Sequence, residues 1–431
     1  MNLPTPDSAL NGIANLRLPA WLLPAGWPLQ AGEPVMADLR FDAGKISSLQ
    51  PARAGQTDLW DAHGALALPG LTEPHAHLDK TFTIGRSRPS RPGLLAAIET
   101  MHQDRQHWTA EDLRQRARKG LALAAANGVT RVRTHIDWFD VTPPLAWSEL
   151  ADIAQPGITL ERVALAPLSF FADAEAADRI ARAVAESGKD CLLGGFIHSS
   201  NWDPAAMTNL MRSASRWQLN LDLHIDEELS PVAHGLSWLA HYLSENEVPE
   251  NKWRGHICCS HGCALASGSE QQAQEVLGLL AAQRVTLIAL PMTNLLLQDA
   301  ATGRTPRQRG ITLLKEAQAA GVLLLLGCDN VQDAFCPAGS YDPLDTLSCA
   351  LFALQLDNLF DQQSRLICDV AALTGDAQTG LPLAPGSAAS LVIFPDSDSL
   401  TWPLNSAARL VFHHGRLTHQ RTWNEDLSHE S

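Results

Sequence analysis

Ala65-Leu66-Ala67-Leu68-Pro69-Gly70-Leu71-Thr72-Glu73-Pro74-His75-Ala76-His77-Leu78-Asp79-Lys80 begins as an apolar run and ends in residues able to bind metal or move protons. Seven later segments change character in the same way: Val129–Asp137, Ile158–Pro167, Leu192–His198, Leu219–Glu227, Gly255–His261, Val285–Asn294 and Val322–Asn330. With Ala65–Leu71 they make eight strand-like runs separated by helix-like stretches, the pattern of repeated βα units around a parallel sheet. Eight such units predict an α/β chain folded as a (β/α)8 TIM-type barrel.

Local signals between the runs agree with this reading. Thr109 opens a helix with Asp112 three residues on, as in a capping box, and Gly128 follows its end. Gly188 and Gly321 close the stretches before runs four and eight. Outside the barrel the period changes to two. Ala37–Phe41, the turn Asp42-Ala43-Gly44-Lys45 and Ile46–Leu49 read as a hairpin, and Ala389–Phe394 and Ala408–Val411 are further short strands, followed by the turn His414-Gly415-Arg416. The late strands are expected to complete the N-terminal sheet. That gives a small discontinuous β-sandwich from residues 1–64 and 386–431, flanking a metal-dependent barrel over residues 65–385.

The chain has 431 residues, long for one domain but suited to a barrel of about 250 residues with an accessory module. Forty-seven acidic against 32 basic residues give a net charge of −15, and no Lys/Arg run stands out. Such a field repels nucleic acid and anionic membranes, so neither is an expected partner. The apolar stretch Leu16 to Trp27 is broken by Arg17, Pro19 and Pro24 and falls short of the ~20 residues of a span, so no signal peptide or anchor is expected. Eight cysteines at 191, 258, 259, 263, 328, 336, 349 and 368 form no disulfide framework and no Cys-x-x-Cys, which fits a reducing cytoplasm. Cys258, Cys259 and Cys263 surround His261, yet no second cluster has zinc-knuckle spacing, so small buried residues are the simpler reading.

In barrel enzymes the chemistry sits at the C-terminal strand ends. There the first run offers His75 and His77, two apart and therefore on one face of a strand. The fifth adds His224, the sixth His261, and the eighth passes from five apolar residues into Gly327-Cys328-Asp329-Asn330. A single histidine on a strand is more often a hydrogen-bonded core residue than a ligand. Four histidines and an aspartate at the same end of four runs outweigh that expectation: His75, His77 and His224 as metal ligands, Asp329 as ligand and base, His261 as a neighbour that orients water.

These residues resemble the amidohydrolase superfamily and, within it, the bacterial cytosine deaminase branch, over roughly residues 65–394. The resemblance is carried by Glu73-Pro74-His75-Ala76-His77-Leu78-Asp79, Arg133-Thr134-His135-Ile136-Asp137, His224-Ile225-Asp226-Glu227, Ser260-His261, the stretch from Leu297-Gln298 to Arg309-Gly310-Ile311-Thr312, and Gly327-Cys328-Asp329-Asn330. It implies one divalent ion per chain, zinc or iron, held by His75, His77, His224 and Asp329. Metal-bound hydroxide would attack the amidine carbon of an amino-substituted heterocycle and release ammonia. Asp329 would take the proton of the water, His261 would orient it, and Glu227 would carry a proton to the ring.

Departures from the branch bear on the substrate. Binuclear relatives carry a lysine at the end of strand four, where this chain reads Gly194-Gly195-Phe196-Ile197-His198, so a mononuclear site is expected. Cytosine deaminases place a ring-binding glutamine where Pro167 stands, and proline has no side-chain donor or acceptor. Cytosine is therefore expected to be a poor substrate. Pro167, His198, Asn330, Phe170 and Trp202 are the candidate substrate contacts; Trp138, Phe139, Phe171 and Phe335 are also placed to stack on a flat ring or to pack the core. Two alternatives stay open: removal of alkylamines from triazine-type rings, and a catalytically silent barrel that binds a metabolite. The expected partner is a small heterocycle, and a homo-oligomer is allowed.

Overall fold

The computed structural model of the chain describes residues 9–245, 255–376, 380–395, 397–404, 406 and 408–421. Eight parallel strands follow one another around a single sheet: β1 (Leu71–Ala76), β2 (Val129–Asp137), β3 (Thr159–Pro167), β4 (Cys191–Ile197), β5 (Leu221–Ile225), β6 (Ile257–His261), β7 (Thr286–Ala289) and β8 (Leu323–Leu326). Neighbours are paired in register, so Phe196 on β4 stands beside His224 on β5, and Ile225 beside His261. The seam between β8 and β1 is closed by a bridge from Ala76 to Asp329 and by the Asp329 N–H donating to the His75 carbonyl at 2.8 Å. The barrel therefore shuts at the place where two predicted ligands stand.

The helices form where the sequence signals them. Thr109 caps the helix Ala110–Ala126 by accepting from the Asp112 N–H, which satisfies one of the free donors of the first turn. Gly128 then turns the chain into β2 with φ of +89°, and a β-carbon there would lie 2.2 Å from Val392. Only glycine meets both the left-handed backbone and that close approach.

Three expectations are corrected. Ala65–Leu71 is not one strand: Leu66–Pro69 pairs antiparallel with Leu391–Phe394, and the chain restarts after Gly70 as β1. Pro69-Gly70 supplies the break, since proline cannot donate to a continuing ladder. Next, the late strands do not join the N-terminal hairpin. Leu391–Phe394, Arg409–His413 and Arg416–Arg421 form a sheet with Leu66–Pro69, while Gly12–Leu16, Ala37–Asp42, Lys45–Pro51 and Trp60–Asp61 form another. The two sheets share one apolar core, including Ile13, Leu16, Leu39, Ala67, Ile393 and Phe412, so the expected sandwich forms with a different strand pairing. Finally, the run Val285–Asn294 holds only four strand residues. Pro291 opens a helix, Pro291–Leu297, as suits proline at a first helical position.

Candidate active site

The ligand set predicted from the strand ends converges. His75 lies on β1, His77 just beyond it, His224 on β5 and Asp329 beyond β8, all buried. His75 Nε2 is 3.0 Å from His224 Nε2, which is 3.2 Å from His77 Nε2; Asp329 Oδ1 lies 3.0 Å from His77 Nε2 and 3.6 Å from His75 Nε2. A tetrahedral ion with bonds of about 2.1 Å has ligand separations of about 3.4 Å, close to these distances.

The hydrogen bonds behind these four side chains fit the cage to a cation. His77 Nδ1 lies 3.2 Å from the His135 carbonyl, which only accepts, so Nδ1 carries the proton and Nε2 turns a lone pair toward Asp329. His75 Nδ1 is fixed by the Ser260 hydroxyl at 2.7 Å. Asp329 Oδ1 is buried with no hydrogen-bond donor among the described residues. Lone pairs of imidazole and carboxylate facing each other at 3.0 Å repel unless a cation lies between them, so the donor set fits a divalent metal. Burial, reinforced by neighbouring imidazoles and Lys80, pushes His75, His77 and His224 well below the usual imidazole range and keeps them neutral.

Glu227 and His261 stand at the same centre, with Glu227 Oε2 3.6 Å from His261 Nε2. His261 Nδ1 bonds Asn294 Oδ1 at 2.9 Å, which leaves Nε2, without a hydrogen-bond partner among the described residues, directed into the site. Burial, then the neighbouring Asp329 charge, pushes the Glu227 carboxyl well above the usual range and favours its neutral form. The Leu297-Gln298 to Thr312 stretch supports both from behind. The Gln298 amide donates to the Glu227 carbonyl, the Thr312 hydroxyl donates to the His261 carbonyl, and Gly310 leaves room for Gln298, which a β-carbon would meet at 2.1 Å.

The centre opens into a cavity of about 270 Å³ lined by His77, His224, Glu227, His261 and Asp329. Of the predicted substrate contacts, Pro167 and Asn330 line it, as do Trp138, Phe139 and Phe335. Phe170, Phe171, His198 and Trp202 are not among its lining residues. His198 bonds Ser200 and stacks on Phe196, and Trp202 packs on Trp238. The aromatic residues after β3 and β4 fill the shell outside the rim. Cys258, Cys259 and Cys263 are buried free thiols, and none belongs to a metal-binding group among the described residues.

Sequence reasoning missed part of the cavity. Its outer wall comes from the helix Leu94–Asp104, through Leu94, Ile98, Met101 and His102, in the connection between β1 and β2. The apolar spacing Leu94-x-x-x-Ile98 was the available signal. Lys80 and Asp137 also line the cavity, joined at 2.6 Å. Both end motifs already singled out, and their opposite charges at neighbouring strand ends were readable as a pair.

No family model matches the chain. It is 32% identical over 397 residues to a pterin deaminase of Rhizobium rhizogenes, covering 90% of this chain and 89% of the relative. It is 26% identical over 302 residues to an N-isopropylammelide isopropyl amidohydrolase of Pseudomonas, covering 65% and 67%. Among solved structures, a 5-methylcytosine deaminase of Klebsiella pneumoniae with phosphonocytosine superposes with a TM-score of 0.79 at 26% identity, covering 95% of this chain and 98% of that one. With the ligand cage, its flanking acid and histidine, and the barrel that carries them, this likeness shows that the chain belongs to the amidohydrolase superfamily, in its cytosine-deaminase-like branch.

Proposed function

We propose that this protein is a metal-dependent hydrolytic deaminase of amino-substituted heterocycles, with one ion per chain and bicyclic 2-amino-4-oxo rings of the pterin kind preferred over cytosine. The observation that carries the reading is the cage of His75, His77, His224 and Asp329 meeting Glu227 and His261 at the floor of one cavity, which all but His75 line. A bound divalent ion supplies Lewis acidity, which brings the pKa of an attacking water toward neutrality. The chain's own groups do the rest. Asp329 accepts the proton of the water, and His261, held by Asn294, orients the attack and steadies charge at the ring carbon. Glu227 gives its proton to the ring nitrogen and takes one back from the hydroxyl of the tetrahedral adduct, while the proton held by Asp329 passes to the leaving amine. Water and the C–NH2 group thus become a ring carbonyl and ammonia.

Support for a bicyclic substrate comes from three sides. The relative matched over most of the chain is named a pterin deaminase. Pro167 lines the cavity and offers no amide to a pyrimidine edge. Leu94, Ile98, Met101, Phe139 and Phe335 give it apolar walls suited to a flat fused ring.

The test is release of ammonia, against alkylamine, from pterins, aminopyrimidines and aminotriazines, by wild type and Glu227→Gln. Pterin-type rings should exceed cytosine at least tenfold in kcat/KM, about 1.4 kcal/mol. The variant should lose roughly 10² or more in turnover on every active ring, with affinity falling less. Cytosine as the best substrate, alkylamine as the only product, or near-normal turnover by the variant would each refute a named part of the reading.

A further inference from the structure

Lys80 follows β1 by one turn, its N–H donating to the His77 carbonyl, and its side chain is only 5% exposed. The ammonium lines the cavity beside the ligand cage. Burial opposes its charged form, but Asp137 and Asp79 more than offset this and keep it an ammonium. Asp137 takes one of its three hydrogens at 2.6 Å, and the Phe335 ring lies 5.0 Å away. No second oxygen acceptor bonds it among the described residues. Asp137 is itself held in place, its N–H donating to Asp79 Oδ2 at 3.0 Å.

A buried ammonium with two unclaimed donors, in a cavity whose other walls are largely apolar, is costly unless a ligand supplies acceptors. The pairing with Asp137 sets the kind of acceptor. That ion pair is already neutral, so a second full anion would leave an uncompensated charge, whereas a carbonyl oxygen accepts without adding one. On the same cavity wall as Phe335, Asn330 gives an amide hydrogen to Asp333 at 2.8 Å, while Asp333 also accepts from the Phe335 and Cys336 N–H groups. Its carboxylate only accepts, so the amide is fixed with nitrogen toward Asp333 and its carbonyl is left for a ring N–H.

We propose that Lys80 is the specificity-determining residue of this site: it donates to a ring carbonyl oxygen, so the heterocycles that turn over carry a lactam beside the amino-bearing carbon. The proposal rests on the deaminase reading and names the residue that reads the oxo group of its substrates.

Two matched pairs test it: pterin with 2,4-diaminopteridine, and isocytosine with 2,4-diaminopyrimidine, where an amino donor replaces the carbonyl acceptor. Wild type should favour the oxo member of each pair by about 30-fold or more in kcat/KM. Lys80→Met should lose at least about 30-fold on the oxo rings, mainly in KM, and only a few-fold on the diamino rings, with metal content unchanged. Lys80→Arg should fall between. Equal loss on both members, as a merely structural lysine would give, overturns the proposal, as does a wild type without preference. If Lys80→Met does not fold, Lys80→Arg and the wild-type preference decide. Ring binding by calorimetry separates the two readings: selective binding of oxo rings without ammonia release refutes the deaminase, while turnover without oxo preference refutes the role of Lys80.

Discussion

Two clusters of buried acids and imidazoles share the barrel interior, and they differ in what faces them. In the cluster nearer the strand starts, Arg133 donates to Asp222 at 2.7 Å and to Glu161 at 2.8 Å, and His135 Nε2 lies 3.1 Å from Asp222 Oδ1. Burial alone would raise the Asp222 carboxyl, yet His135 and Arg133 hold it below the usual range. At the strand ends, His77 and Asp329 turn lone pairs toward each other with no protein cation between them. His75, His135 and Asp222 also approach within ligand distance of one another, but there a guanidinium already supplies the charge. Acceptors facing acceptors mark a place for an ion. Acceptors facing arginine mark structure.

Substitution should split the two regions. His75→Ala and His224→Ala should lose bound metal and at least ~10³ in turnover while the protein stays folded, since each ligand stands at the barrel rim. Asp222→Asn should do the reverse, costing about 3 kcal/mol of stability by leaving Arg133 short of a counter-charge, with metal content retained. Metal analysis and urea unfolding of the three variants read both effects. Full metal retention by either histidine variant, or loss of metal without loss of stability in Asp222→Asn, would break the distinction.

A smaller, pH-dependent effect sharpens it. Glu73 sits under the ion site, accepting from the His75 N–H at 3.0 Å and the Cys328 N–H at 3.1 Å, and burial pushes its carboxyl up to about 8. A carboxyl whose folded pKa is raised is protonated in the fold and ionised in the unfolded chain between about pH 4.5 and 8. Its contribution to stability is present below that window and is lost as pH rises through it. Metal-free wild type should therefore lose up to ~1.4 kcal/mol per pH unit relative to Glu73→Gln between pH 5 and 8. Parallel stability curves for the two proteins would show that Glu73 is ionised in the fold.

The same contrast explains how far the sequence could be read. Strand ends are legible because the period-two pattern and the abrupt passage from Leu326 to Asp329 place side chains at the rim without any knowledge of loops. His75, His77, His224, His261, Glu227 and Asp329 stand on or next to such ends, and the structure gathers them. The outer wall depends on the helix Leu94–Asp104, whose position over the cavity is set by tertiary packing rather than by period. Aromatics three to five residues past a strand, such as Phe170 and Trp202, point as the following turn dictates, and the sequence does not specify that turn. The strand pairing within the expected sandwich escaped for a related reason: Pro69-Gly70 splits one apolar run between two sheets, and hydrophobicity alone does not register the break.

The most direct test of the account strips the protein of metal and restores zinc or iron in steps while ammonia release from a pterin is followed. Activity should be absent without metal, rise linearly and level off at about one equivalent per chain, with one ammonia formed per ring consumed. A plateau only at two equivalents, or no ammonia at any loading from any ring, would contradict it.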